Sequence, residues 1–348
     1  MSWWRTFVVF LVFPLVAHGL DVCLPTANDA LLHPGKEADF FQPTVEGNVE
    51  SGMYGCVRSH GHRFHEGIDI KCLQRDRHGE PIDPVHAVAD GAVAFINKKP
   101  GLSNYGRYVV LRHRWDGIEV FTLYAHLRDV AEGLTIGQPV RKGQVIATLG
   151  HSTNTREGIS RDRAHLHFEI NFMFNTDFHI WYPKRDPKAP PFGNFNGLNL
   201  WGMDPAALFR AYAANPKSNG APSAMNFAEY VARQPVAFTV LVGAKPFPWL
   251  TMHPEQIQRS NAAAPGNVVA YEIGSAWFGL PIAVWPRASS EISEAERRVL
   301  QRGLPVLHRV DEAAIDRNPC RDLVGRSQRG WRLTRDGQEW IELLTYTP

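Results

Sequence analysis

Phe64-His65-Glu66-Gly67-Ile68-Asp69-Ile70-Lys71-Cys72 sets a histidine and an aspartate four residues apart, with a glycine between them. Cys56 precedes the stretch and Cys72 closes it. Glu66 invites a metalloprotease-helix reading, but H-E-x-x-H requires a second histidine where Asp69 stands. The β-branched residues flanking Asp69 favour a strand instead.

The surrounding sequence supports strands. From about Tyr54 to Pro205, short β-branched runs alternate with glycine-containing turns: HAVADGAVAFI, with its turn at Asp90-Gly91, then RYVVLRH, IEVFTLYAHL, QVIATLG and AHLHFEI. Such runs predict an all-β, mostly antiparallel domain. The lysine-glycine turn in VRKGQVIATLG marks a hairpin corner before a buried strand. KRDPKAPPFGNFNG reads as a surface connection near the end of that domain, and GMDPAALFRAYAA as a helix with Asp204 as N-cap and Pro205 in its first turn. NPKSNGAPS reads as a linker.

The remainder differs. VAFTVLVGA, NVVAYEIG and GLPIAVWP read as strands. SEISEAERRVLQRG reads as a helix capped by Ser290 or Ser293 and stopped at Gly303. WRLTRDGQEWIELLTY reads as a hairpin through Asp336-Gly337. This half carries no catalytic constellation, and its tryptophans (249, 277, 285, 331 and 340) read as core and interface. The organisation expected is 1–19 signal peptide, 20–50 N-terminal arm, 51–212 catalytic-type β domain and 222–348 a smaller mixed α+β domain.

Composition narrows the function. The 348 residues are 44% hydrophobic and 21% charged with a formal net charge of +2, ordinary for a globular protein and without the basic stripe of a nucleic-acid binder. The apolar run Phe7 to Val16, followed by Ala17-His18-Gly19, has the form of a cleaved secretory signal. It predicts export, to the periplasm, cell envelope or exterior, and no membrane span after cleavage. Four cysteines allow three connectivities. The local pair Cys56–Cys72 is favoured, leaving Cys23 with Cys320.

Most of the fifteen histidines fall between His60 and His179. Alternation along a strand projects His165 and His167 from one side of AHLHFEI. A catalytic zinc takes three protein ligands of nitrogen and oxygen and keeps one position open. His65, Asp69 and one histidine of the His-Leu-His pair would supply them. The remaining histidines, with Tyr124-Ala125-His126 between, could move protons near neutral pH. Amide hydrolysis is the chemistry such a set allows. Each motif alone is commonplace; their order is not.

From about Tyr54 to Phe209 the chain resembles the lysostaphin/LytM-type zinc metallopeptidases, which cut peptide cross-links in bacterial cell walls. The resemblance rests on Tyr54-Gly55 with Arg58, HEGIDI, AVADGAVAFI, NYGRYVVLRH, TLYAHL, VRKGQVIATLG and HLHFEI. It implies a mainly β, antiparallel sandwich- or barrel-like domain with an open groove. It also implies one Zn2+ per chain on His65, Asp69 and His167, and a catalytic pair, His126 and His165, one accepting a proton and the other steadying an oxyanion. Peptidoglycan peptide stems are the implied substrate, with a direct D-Ala–diaminopimelate cross-link favoured over a glycine bridge. Glu66 receives no role, and His60, His62, His113 and His151 read as surface or structural. The segment HSTNTREGISRDRA departs from the family in being longer and basic through Arg156, Arg161 and Arg163. It is expected to border the groove and bear on substrate preference. Competing readings are a catalytically silent cell-wall-binding or amidase-activating module, and a zinc peptidase acting on proteins. The N-terminal arm could lie across the groove as an inhibitory segment.

Overall fold

The computed structural model describes residues 20–188, 192–215, 225–258, 266–328 and 330–348. The expected signal peptide and most of the expected linker lie outside the described residues. No helix among those described is long and apolar enough to cross a membrane.

Among the described residues, twelve strands build the first part of the chain. They are β1 (Gly55–Arg58), β2 (Arg63–His65), β3 (Ile68–Lys71), β4 (Pro84–His86), β5 (Gly91–Asn97), β6 (Arg107–Trp115), β7 (Ile118–Leu127), β8 (Asp129–Val130), β9 (Pro139–Val140), β10 (Val145–Thr148), β11 (His165–Met173) and β12 (Leu200–Met203). The main sheet runs β12-β11-β7-β6-β5-β9, every pair antiparallel. The far edge of β11 is shared, with β3 pairing its first half and β12 its second. A three-stranded sheet, β4-β10-β8, and the hairpin β1-β2 complete the domain. The sheets do not close into a barrel.

All of β11 is buried, yet its two faces differ. Leu166, Phe168, Ile170 and Phe172 enter the main apolar core. His165, His167, Glu169 and Asn171 occupy the alternate positions and face the groove side. A smaller cluster of Tyr108, Phe121, Leu123, Ala125 and Phe192 supports that side.

The second part holds the strands β13 (Phe238–Gly243), β14 (Val268–Ser275), β15 (Pro281–Ala288) and β16 (Val306–Val310), in the order β15-β14-β13-β16. A ribbon of β17 (Val324–Ser327) and β18 (Gly330–Leu333) accompanies them. The three expected strands are there. So are the helix Pro205–Ala214, with the Asp204 carboxylate accepting from Ala206 and Ala207, and the helix Glu294–Gln301 in a capping box of Ser293 and Glu296. The core is continuous between the two parts. Phe172 and Phe174 of the first pack against Trp249, with Trp340 also on Phe174, and the Asn175 amide donates to the carbonyls of Leu343 and Tyr346.

Two expectations are corrected. The segment expected as a hairpin through Asp336-Gly337 is β18 followed by a helix, Arg335–Thr345. The Thr334 hydroxyl caps it by accepting from the Gly337 N–H. Trp340, Ile341 and Leu344 lie along one stripe and are buried, so helical periodicity overrides the turn signal of the Asp-Gly pair. The favoured cysteine pairing is also wrong. Cys56 is bonded to Cys320, 264 residues away, and Cys23 and Cys72 are free thiols. The Cys72 sulfur instead donates to the Asp83 carboxylate at 3.0 Å, in a loop that Asp83 organises by accepting from Leu73 and Gln74.

The N-terminal arm is docked on the first part of the chain. Phe40 and Phe41 are buried, and the Gln42 N–H donates to the Asp69 carbonyl. The Glu46 carboxylate accepts from the Ser59 N–H at the β1-β2 turn.

Candidate metal centre

Register places the first two groups. In the β3-β11 pair, Asp69 stands directly opposite His167, and such partners project to the same face. The approach is so close that a side chain at residue 67 could not fit. A Cβ there would lie 2.3 Å from the Phe168 carbonyl oxygen and 2.8 Å from Glu169. This accounts for the glycine between His65 and Asp69. His65, at the end of β2, completes the group: His65 Nε2 is 3.2 Å and His167 Nδ1 3.0 Å from Asp69 Oδ1, and the two nitrogens are 3.1 Å apart. All three residues are nearly fully buried.

His126 reaches the same place by a different route. Regular alternation after Tyr124, which is in the main core, would turn His126 away from the groove. Its backbone is left-handed, with φ +60°, a conformation that bulky residues hold only when their surroundings enforce it. The enforcement comes from the Tyr105 carbonyl, which accepts the His126 N–H at 2.8 Å, and from the Ser152 carbonyl, which accepts from its ring at 2.9 Å. The chain at Gly150 runs tight against this bend, where a Cβ would sit 2.2 Å from the Arg128 nitrogen. The His126 and His165 ring centres are 4.9 Å apart, and His165 Nε2 is 3.4 Å from Asp69 Oδ2.

Hydrogen bonding orients every ring. His65 Nδ1–H donates to the Met53 carbonyl (2.6 Å), His165 Nδ1–H to the Arg163 carbonyl (2.7 Å), and His167 Nε2–H to Glu169 Oε1 (2.7 Å). The inward nitrogens of His65 and His165 are thereby left as electron-pair donors, while, against the effect of burial, Asp69 and Glu169, one on each ring nitrogen, push His167 up to about 9. Burial would raise the Asp69 carboxyl, but His165, His65 and Arg58 together hold it well below the usual carboxylate range. Burial lowers His65 and His165. It lowers His126 further, with His165 and His167 adding to the effect. The Arg58 guanidinium sits against His65 Nε2 at 2.8 Å and against Asp69 Oδ2.

Two imidazole nitrogens and one carboxylate oxygen, converging within 4.8 Å of one another, could hold a metal ion. The set suits a zinc-like cation with an open position. It has too few oxygens for calcium.

The five residues singled out from sequence are thus brought together at the floor of one groove of about 970 Å³. Its walls come from Pro43–Glu46 of the arm, the β1-β2 hairpin, the Leu102–Tyr105 loop, Thr153–Arg163, and Asn196–Leu198. Among the described residues, none beyond Leu198 lines it. The long basic segment does border the groove, although Arg161 is engaged by Glu80 and the His78 carbonyl. Glu66 is exposed at the rim. His113 is structural, held between the Asp90 carbonyl and the Thr122 hydroxyl. Sequence reading passed over Glu169, though it lies two positions after His167 on the same strand face. Tyr105 falls inside NYGRYVVLRH, but nothing in that run marked it for a role at the site.

Residues 63–177 match Peptidase family M23, a match that supports a LytM-type peptidase domain there. Among its relatives, the DD-carboxypeptidase/endopeptidase Mpg of Neisseria meningitidis serogroup B is 40% identical over 112 residues, 32% of this chain and 20% of the relative. The protein of the same name from Neisseria gonorrhoeae is 38% identical over 110 residues, with the same coverage. The chain therefore spans about a fifth of the length of these curated relatives. Similar solved structures include a zinc-containing peptidase from Vibrio cholerae (30% identity, 31% of this chain and 26% of that one, TM-score 0.23). Another is a glycyl-glycine endopeptidase LytM, described as putative, from Ruminococcus gnavus (31% identity, 31% and 39%, TM-score 0.24).

Proposed function

We propose that the protein is an exported zinc-dependent endopeptidase that hydrolyses peptide cross-links of bacterial peptidoglycan, with one Zn2+ held by His65, Asp69 and His167. The observation that carries this reading is the meeting of three buried, converging ligand-type side chains with two further neutral histidines in an open groove. When bound, zinc supplies Lewis-acid polarisation of the scissile carbonyl and a water made nucleophilic near neutral pH. His126 and His165 stand side by side next to the donor set, their ring centres 4.9 Å apart and each Nδ1 bound to a main-chain carbonyl, which leaves Nε2 free for proton chemistry. One accepts a proton from the attacking water and the other faces the developing oxyanion. Burial favours the neutral ring in both, which suits an acceptor role.

The groove has a lining of mixed charge, with Glu46, Glu66 and Glu157 beside its arginines. Arg63 and Arg163 line it, and neither is in an ion pair among the described residues. Peptide stems with free carboxylates beside the cut bond would meet them, in keeping with a direct D-Ala–diaminopimelate cross-link. The neisserial relatives are named as both carboxypeptidase and endopeptidase, so release of a terminal residue is to be sought as well. A disulfide and an apolar N-terminal run support export to an oxidising compartment.

The test is mass spectrometry of muropeptides from purified peptidoglycan, with and without a chelator, alongside zinc content. Cleavage that a chelator blocks is expected. Stoichiometric zinc with untouched peptidoglycan and cleaved protein substrates would transfer the reading to a protein peptidase. Absence of zinc and of cleavage would leave the silent module.

A further inference from the structure

Of the four histidines at the groove floor, three donate their outward N–H to main-chain carbonyls. His167 alone donates to a carboxylate, Glu169. That carboxylate is fully buried and accepts three hydrogen bonds of 2.7 Å each. The His167 ring and the Tyr105 hydroxyl share Oε1, and the Asn171 amide donates to Oε2. A buried carboxylate is costly unless its charge is compensated, so a cation close by is the arrangement that justifies it. Charge counting at the centre points the same way. Arg58 and Asp69 cancel one another, so Glu169 is the buried carboxylate left over to balance a divalent ion. Tyr105 adds a second connection, since its carbonyl also holds the main-chain N–H of the left-handed His126.

We propose that Glu169 is a positioning residue for the metal centre. It fixes the His167 ring with Nδ1 turned to the cation, while Tyr105 locks the carboxylate and ties it to the segment carrying His126. This rests on the reading of His167 as a ligand. Carboxylates that orient ligand histidines in this way are typically worth 10- to 100-fold in metal affinity.

The experiment uses the full chain with Glu169→Gln, Tyr105→Phe and His167→Ala. Zn2+ affinity is measured by competition with a chromophoric chelator, and the ligand field by the visible spectrum of the Co2+-loaded protein. His167→Ala should lose the metal. Glu169→Gln should bind zinc 10- to 100-fold more weakly with a displaced cobalt band, because Gln also sets an amide N–H against Asn171 or Tyr105. Tyr105→Phe should show a smaller loss in the same direction with the metal-free melting temperature unchanged. A merely structural network would alter melting and leave the cobalt spectrum alone. If His167→Ala loses zinc while the other two bind it as tightly as wild type with superimposable spectra, the proposal is wrong and the ligand reading stands. If His167→Ala keeps its zinc, the ligand reading itself falls. Should Glu169→Gln fail to fold, Tyr105→Phe decides by the same two readouts.

Discussion

Removing the Cys56–Cys320 bond, by Cys56→Ser with Cys320→Ser, tests how the second part of the chain serves the first. The bond closes a loop of 264 residues, for which the chain-entropy relation gives roughly 5–6 kcal/mol, an upper figure because measured losses usually run about 2–5 kcal/mol. The fold should survive. The hairpin stays covered by Arg321, 4.6 Å over the Phe64 ring, and by the Trp277–Phe64 and Tyr54–Phe278 edge contacts, each worth about 0.5–1.5 kcal/mol. A loss of about 4 kcal/mol should lower the melting temperature by roughly 6 °C in a chain of this size. Because β1 and β2 carry Arg58 and His65, chelators should also strip zinc faster from the variant. The assays are calorimetry without reductant, zinc release into excess chelator, and peptide mapping of the wild type. Cys72 should react slowly with alkylating reagents in the native protein, because burial and Asp83 push its thiol up to about 12. Mapping that finds Cys56 joined to Cys72, or a double variant melting within about 1 °C of wild type, would refute the reasoning.

His126→Ala should lower kcat by about 10²- to 10⁴-fold while zinc content stays at the wild-type level. Loss of zinc from this variant would make His126 a ligand instead. His113 governs part of the acid response. Burial lowers its pKa to about 4, so between about 6.5 and about 4 the unfolded chain binds a proton that the native chain does not. Its contribution is whole above pH 6.5 and is lost as pH falls through that window, costing about 3 kcal/mol by pH 4. His113→Gln should therefore show a shallower acid limb in denaturant titrations at pH 4 to 7, and an unchanged limb would exclude His113 as its source.

What the sequence made legible was local. Period-two alternation in HLHFEI was enough to put His165 and His167 on one face, and Asp204-Pro205 and Ser293 announced their helices through capping chemistry that spans only three residues. The failures involve information that no local window holds. The partner of Cys56 lies 264 residues away, so proximity in sequence favoured the wrong cysteine. His126 points into the groove only because its backbone is left-handed, which strand alternation cannot foresee. At Asp336-Gly337 a common turn signal outweighed the stripe of Trp340, Ile341 and Leu344, whose burial depends on Phe174 and Phe238 far upstream.

The same distinction explains the second part of the chain. Its absence from the groove walls argues against direct selection of substrate by its described residues, yet it does not stand apart from the site. His65 hangs on a three-residue strand, too short to fix the ring by its own pairing. That strand is held from three directions: Glu46 of the arm accepts at the hairpin turn, β1 pairs along it, and the disulfide, Arg321 and Trp277 press from behind. Asp69 and His167 need no such help, because they face each other across a ladder inside the main sheet. The centre thus combines two donors fixed by strand register with one fixed by long-range packing. It is the third donor, the histidine of FHEGIDIKC, whose geometry depends on residues far beyond the peptidase motifs.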